Sequence, residues 1–159
     1  MNNLYLKERI NVAKLYSVII DAPIEWVWDY MKDFGHWAPL VPGYVSHNIH
    51  NSKKSSWVFT TDIGIIKKKI EFDLDILSMT APRSMTFQVN GTNEGFTGHG
   101  NIEAKKMKSN RTFVTASIDL QATGPIAKMI KPLLKSNPPK ITKEFKEEVT
   151  ARILEYNSR

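Results

Sequence analysis

The chain contains no cysteine among its 159 residues. This absence excludes a disulfide, a thiol nucleophile and a zinc site with cysteine ligands. A long apolar run is also missing, because the opening residues mix Lys7, Glu8, Arg9 and Lys14 with apolar ones, unlike a signal-peptide core or a membrane span. Linkers, internal repeats and low-complexity segments are absent as well. We therefore expect one cytoplasmic domain over residues 1–159 with a single hydrophobic core.

Recognisable catalytic motifs are missing too. The sequence has no Gly-x-Ser-x-Gly elbow, no phosphate-binding glycine loop and no helical histidine pair with a nearby glutamate. His47 and His50 stand three apart on a predicted strand, so their side chains point to opposite faces. His99 is the best titratable candidate, but strand alternation places it opposite Phe96 and Ile102 unless a bulge intervenes. We accordingly predict no catalytic residue, no metal site and no cofactor.

An excess of negative charge is also lacking, since the formal net charge is +6. The lysines occur in short clusters, at residues 53–54, 67–69 and 105–111, and each cluster lies beside a predicted turn. This distribution favours solvated hairpin ends over a specific nucleic-acid site. The alternative that remains is weak attraction to anionic surfaces, membranes included.

The strand pattern covers most of the chain. "RINVAKLYSVII", Arg9–Ile20, is rich in β-branched residues and predicts a first strand. A helix follows, with Asp21 near its N-cap, Pro23 and Glu25 in its first turn, and Gly35 at its end.

Alternating apolar and polar residues then continue from Gly43 to Thr123. The cleanest example is "IEFDLDIL", in which Asp73 and Asp75 lie on the polar face as a solvated pair. Turn-forming residues divide this region into about six strands. One face of the resulting sheet is predicted to carry the following apolar residues: Trp57, Phe59, Phe72, Leu74, Phe87 and Ile118.

The C-terminal segment has helical periodicity. Its apolar stripe extends from Ile126 to Ile153 and predicts a long helix that covers the sheet. Pro132 and the pair Pro138 and Pro139 should kink or break this helix, because proline lacks the amide donor.

The order of these elements resembles the START-like (SRPBCC, helix-grip) superfamily. That resemblance implies an α+β fold: a curved antiparallel sheet of about seven strands wrapped around a long C-terminal helix, with two short helices after the first strand. The stretch "DAPIEWVWDYMKDFGHWAPLVPGY" is similar to the opening signature of two groups, the G subunit of carbon monoxide dehydrogenase and the polyketide cyclase/dehydrase-like proteins. The matching residues are Pro23, Val27, Trp28, Pro42 and Gly43, followed further on by Pro82, Arg83, Gly98 and Gly100.

The resemblance also implies an apolar cavity between the sheet and the helices. Trp28 is expected in the core, whereas Trp37 and Leu40 are expected at the cavity rim. The candidate ligand-binding residues are Phe34, Trp37, Leu40, Trp57, Phe59, Phe72, Phe87, Phe96, Met129 and Leu133. Gly98 and Gly100 share a strand face and suggest a close approach to the sheet, which we assign to the last helix in preference to a ligand.

Three functions are compatible with this sequence. The first is binding of a hydrophobic small molecule or lipid without catalysis. The second is a cyclase- or dehydratase-like enzyme whose cavity holds the substrate. The third, implied by the resemblance to the carbon monoxide dehydrogenase group, is a protein partner that assists assembly of a larger oxidoreductase.

Overall fold

The computed structural model describes residues 9–63, 66–92, 95–124, 127 and 143–158. Its elements are β1 (Arg9–Ile20), α1 (Ile24–Met31), α2 (Phe34–Trp37), β2 (Tyr44–Ile49), β3 (Lys54–Ile63), β4 (Ile66–Thr80), β5 (Ser84–Gly91), β6 (Phe96–Met107), β7 (Arg111–Thr123) and α3 (Lys143–Asn157). A short 3-10 turn, Ala38–Leu40, connects α2 towards β2.

All seven strands belong to one antiparallel sheet in the order β1-β7-β6-β5-β4-β3-β2. The predicted α+β class, the curved seven-stranded sheet and the two short helices after β1 are therefore confirmed. The last helix is described only as α3, 15 residues long. Apart from Ala127, the predicted continuation from Ile126 to α3, with its kinks at Pro132, Pro138 and Pro139, lies outside the described residues.

Strand register divides the sheet into two faces. Residues paired across neighbouring strands share a face, and the alternation along each strand then fixes the rest. We call the face that packs against the buried residues of the helices the inner face, and the opposite one the outer face. The six residues predicted to share a face, including Trp57, Phe72 and Phe87, all belong to the inner-face core or pack against it.

The first helix differs from its prediction at both ends. Pro23 is the N-cap itself, and no side chain caps the helix. Asp21 instead forms an ion pair with Arg111 Nε at 3.0 Å, which ties the end of β1 to the start of β7. Gly35 does not terminate α1, which ends four residues earlier, but lies inside α2.

The two glycines of β6 make room for side chains of the neighbouring strands. A Cβ on Gly98 would lie 2.6 Å from Leu120 Cδ2 and 2.8 Å from Val89 Cγ2, and a Cβ on Gly100 would overlap the ring of Phe87. The predicted approach of the last helix to the sheet at these glycines stays a prediction, because residues 128–142 of that helix lie outside the described residues. The space above both glycines is filled from within the sheet, by side chains of β5 and β7.

The C-terminal helix packs on the molecule through one face. Val149 and Ile153 are buried, and α3 contacts both α1 and β1. Val149 and Ile153 are four residues apart, so their side chains lie on the same side of the helix. Leu154, the next residue, is 43% exposed and belongs to the opposite side.

Candidate functional site

The second helix lies over the inner face at β5. Its N-cap, Asp33, accepts a hydrogen bond from Gly35 N at 2.9 Å, which fixes the start of this single helical turn. Phe34 is buried edge-on against Phe87, with ring centroids 5.4 Å apart. Trp37 packs beside Phe34 at 5.1 Å and donates its indole N–H to Met31 O at 2.9 Å. The loop between α1 and β2 is thus held by side chains rather than left open.

The inner face retains accessible apolar surface. Several of its side chains are only half-buried although they pack against the core: Phe59, Ile70, Phe72, Ile76, Ala116, Ile118 and Leu120. The aromatic members continue as a row to the buried Phe96, with centroids 5.9 Å apart between Phe59 and Phe72 and 6.2 Å apart between Phe72 and Phe96. An apolar molecule that covered this surface would remove it from water.

The predicted ligand-binding residues divide into three groups. Phe34, Trp57, Phe87 and Phe96 are buried, whereas Trp37, Leu40, Phe59 and Phe72 are half-buried. Met129 and Leu133 lie outside the described residues. Trp57 is the most enclosed of the set, at 2% exposure, and donates its N–H to Ser55 Oγ at 2.8 Å. Contact with a ligand remains a prediction for all ten residues.

The structure shows a polar pair at the edge of the inner face that the sequence analysis does not predict. The hydroxyl of Tyr44 lies 2.5 Å from Nδ1 of His47, whose ring stacks on Trp57 at 4.6 Å and 16°. These two residues are three apart, so strict alternation would place them on opposite faces. A register shift between Tyr44 and Ser46 brings them to the same face. Neither residue type nor spacing in the sequence predicts that bulge.

Aromatic residues also join the three helices. Tyr30 stacks on His36 at 5.0 Å and donates its hydroxyl to the His36 carbonyl at 2.8 Å, and Tyr156 of α3 lies 5.0 Å from His36. Burial raises the pKa of Tyr30 above its usual value; Arg152 lowers this pKa and Glu148 raises it. The cluster fixes α3 against α1 and α2.

The outer face carries the remaining polar candidates. His99 pairs with Asp119 across β6 and β7 and borders a shallow cavity of about 170 Å³, with Thr97, Gly98 and Gln121 as further lining residues. The prediction that His99 lies opposite the apolar face is confirmed. His50 contacts Ser56 Oγ at 2.7 Å on this side, so its separation from His47 is confirmed as well.

In the part of the chain that the structure describes, no group of three or more His, Asp or Glu side chains is placed to hold a metal ion. None of the helices described there is both long and apolar enough to cross a membrane.

Comparison with known proteins agrees with this architecture. A family model that describes the G subunit of carbon monoxide dehydrogenase (CoxG) matches residues 17–154, which is most of the chain. The chain belongs to the CoxG family. The match includes the "DAPIEWVWDYMKDFGHWAPLVPGY" stretch, so the resemblance found in the sequence is confirmed for this member of the family. A comparison with curated proteins finds no match.

Solved structures share the CoxG-family fold seen here at low sequence identity. A conserved protein from Geobacillus kaustophilus is 18% identical with a TM-score of 0.68, over 92% of this chain and 96% of that one. A norcoclaurine synthase mutant from Thalictrum flavum, in complex with a transition state analogue, is 13% identical with a TM-score of 0.62, over 94% and 98%. A Thermus thermophilus protein is 15% identical with a TM-score of 0.62, over 92% and 99%. At these identities the likeness establishes the fold alone.

Proposed function

We propose that the protein binds a hydrophobic small molecule or lipid between the inner face of the sheet and the helical segments. One observation carries this proposal: apolar inner-face side chains such as Phe59, Phe72 and Ile118 stay half-buried while their neighbours are fully enclosed. Exposed apolar surface gains free energy when a ligand covers it. Membership in a family whose fold is a sheet closed over by helices supports the same interpretation.

The polar distribution supports a binding role further. Three titratable groups of the central strands, Asp73, Asp75 and His99, lie on the outer face. The inner face therefore offers mainly apolar contacts, and its specificity depends chiefly on shape.

A fluorescence titration tests this function. N-phenyl-1-naphthylamine is a neutral apolar probe that emits strongly once it leaves water. Ile118→Gln should weaken its binding by about tenfold, because the substitution places a polar amide on the apolar surface. Asp119→Gln alters the adjacent, exposed residue on the outer face and should leave the affinity unchanged. Equal affinity of both variants for the probe would contradict binding at the inner face.

The family description favours a second candidate, assistance to a carbon monoxide dehydrogenase. The observation in its favour is exposed apolar surface on the outside of the helices: Trp26 is 39% exposed on α1 and Leu154 is 43% exposed on α3. The two helices meet, since Asn157 Nδ2 lies 3.5 Å from Trp26 O. Exposed apolar groups of this kind are typical of protein contact sites.

Co-expression with the subunits of a carbon monoxide dehydrogenase tests that candidate. The tagged chain should retain the complex, and a Trp26→Ser and Leu154→Ser double variant should release it while melting at nearly the wild-type temperature. Retention by wild type and double variant alike would contradict a contact through these helices.

A further inference from the structure

A small polar cluster stands at the boundary between the apolar inner face and water. It consists of Asp33, Gly35, Tyr44 and His47, and we call it the rim cluster. His47 stacks on the buried Trp57 and is itself half-buried, so its ring connects the apolar interior with the surface. The Asp33 side chain is more than half exposed. A ligand whose body lay on the inner face would therefore place one end beside these groups.

One ring nitrogen of His47 is available to form a hydrogen bond with the end of a ligand that lies at the rim cluster. Nδ1 is engaged by the Tyr44 hydroxyl, whereas Nε2 has no hydrogen-bond partner within the ranges that the structure describes. When the Tyr44 hydroxyl donates to Nδ1 of a neutral imidazole, the ring proton resides on Nε2. His47 then presents an N–H donor at the rim.

Asp33 supplies the complementary acceptor. Its Oδ1 accepts from Gly35 N at 2.9 Å and, as a carboxylate oxygen, has capacity for another hydrogen bond. A Cβ on Gly35 would lie 3.1 Å from this Oδ1 and 3.3 Å from His47 Nε2. The two polar atoms thus face the same point beside the Gly35 backbone, and a side chain at residue 35 would be in tight contact with both.

We infer that the rim cluster binds the hydroxyl group of an apolar ligand, a phenol or a long-chain alcohol. A hydroxyl is matched to both neighbours, because it donates to Asp33 Oδ1 while it accepts from His47 Nε2–H. A ligand carboxylate would be repelled by Asp33, and a carbonyl or ether oxygen would satisfy His47 alone. This inference rests on the proposed function and adds the chemical class of the ligand.

Three naphthalenes of similar size test it by isothermal titration calorimetry. 2-Naphthol both donates and accepts, 2-methoxynaphthalene only accepts, and 2-methylnaphthalene does neither. The measured quantity is the affinity for each polar probe divided by that for 2-methylnaphthalene, in the same protein. This ratio removes changes that affect all apolar binding equally.

Two variants are compared with the wild type. His47→Phe keeps a ring to stack on Trp57 but removes Nε2, and Gly35→Ala places a methyl group between the two polar atoms. Each should lower the 2-naphthol ratio by about tenfold, which corresponds to the loss of one or two hydrogen bonds. The affinity for 2-methylnaphthalene should stay within about twofold. Gly35→Ala keeps the test valid if His47→Phe fails to fold.

The outcomes separate this inference from the proposed function. If 2-methylnaphthalene binds but the 2-naphthol ratio is unchanged in both variants, the rim cluster is not a hydroxyl site, while apolar binding stands. An equal loss for 2-methoxynaphthalene and 2-naphthol also overturns the hydroxyl assignment, because donation to Asp33 would then contribute nothing. If no probe binds the wild type, the proposed function fails and this inference with it.

Discussion

Single residues decide how closely the layers of this protein approach. Gly100 is paired with Phe87 on one side and Ile118 on the other, so the missing side chain at its centre allows the Phe87 ring to lie across the strand. Phe87 in turn supports Phe34 of α2. The position of α2 over the inner face thus depends on Gly100, although β6 is distant from α2 in the sequence.

Replacement of Gly100 by alanine should therefore destabilise the protein. The added Cβ overlaps the Phe87 ring, and such overpacking costs about 1–3 kcal/mol. Gly35→Ala is the matched control and should cost under about 1 kcal/mol, because its added Cβ would lie 3.1 Å and 3.3 Å from the nearest side-chain atoms and would overlap neither. Chemical denaturation measures both. Equal stability of the Gly100→Ala variant and the wild type would show that Phe87 has room elsewhere.

The buried Tyr30 makes stability depend on alkaline pH. Burial raises the pKa of Tyr30 above its usual value of 10.0 in the folded protein. The unfolded chain consequently loses this proton first, so the free energy of unfolding should fall as the pH rises through about 10 towards the folded pKa. The free energy of unfolding of Tyr30→Phe should fall less steeply with pH, as measured by denaturation between about pH 8 and pH 11. Tyr156→Phe, which alters a more exposed ring of the same cluster, is the control, and parallel curves for wild type and Tyr30→Phe would contradict the assignment.

At the scale of elements, the C-terminal helix is attached by a narrow apolar stripe. Ile153 is fully buried, whereas its neighbour Leu154 is exposed. Ile153→Ala should cost about 2–5 kcal/mol, whereas Leu154→Ala should stay within about 0.5 kcal/mol. Thermal melting of the two variants compares them directly. A large effect at Leu154 would mean that the helix packs in another rotation.

The elements that depend on local pattern could be predicted from the sequence. β1 was predicted with the bounds Arg9–Ile20 that the structure has, because its alternation and its β-branched residues agree over the whole strand. The polar outer face around Asp73 and His99 followed from the same period of two.

Features that depend on contacts between elements could not be predicted from the sequence. Gly35 was expected to end α1, but the Asp33 cap starts a new turn there. The role of Gly98 required knowing that Leu120 and Val89 fill the space above it. The Tyr44–His47 pair required a bulge that depends on the pairing of β2 with β3. In each case the deciding partner is distant in sequence or is set by pairing with another strand.

At the scale of the whole molecule, the sheet separates two environments. Its outer face carries polar groups such as Asp73 and His99, and its inner face carries the apolar side chains of the core, part of whose surface stays accessible. The helices that pack on the inner face, with the polar rim cluster at one edge, suit a protein that holds an apolar molecule and leaves its polar end at the surface.

Native mass spectrometry of the purified protein tests this central claim most directly. The account predicts that the 18.2 kDa chain carries one small organic molecule, either retained from the expression host or added as N-phenyl-1-naphthylamine, and that mild collisional activation releases it. It also predicts that Ile118→Gln lowers the occupied fraction while Asp119→Gln does not. A spectrum that contained only the bare chain, even with excess probe, would contradict the account.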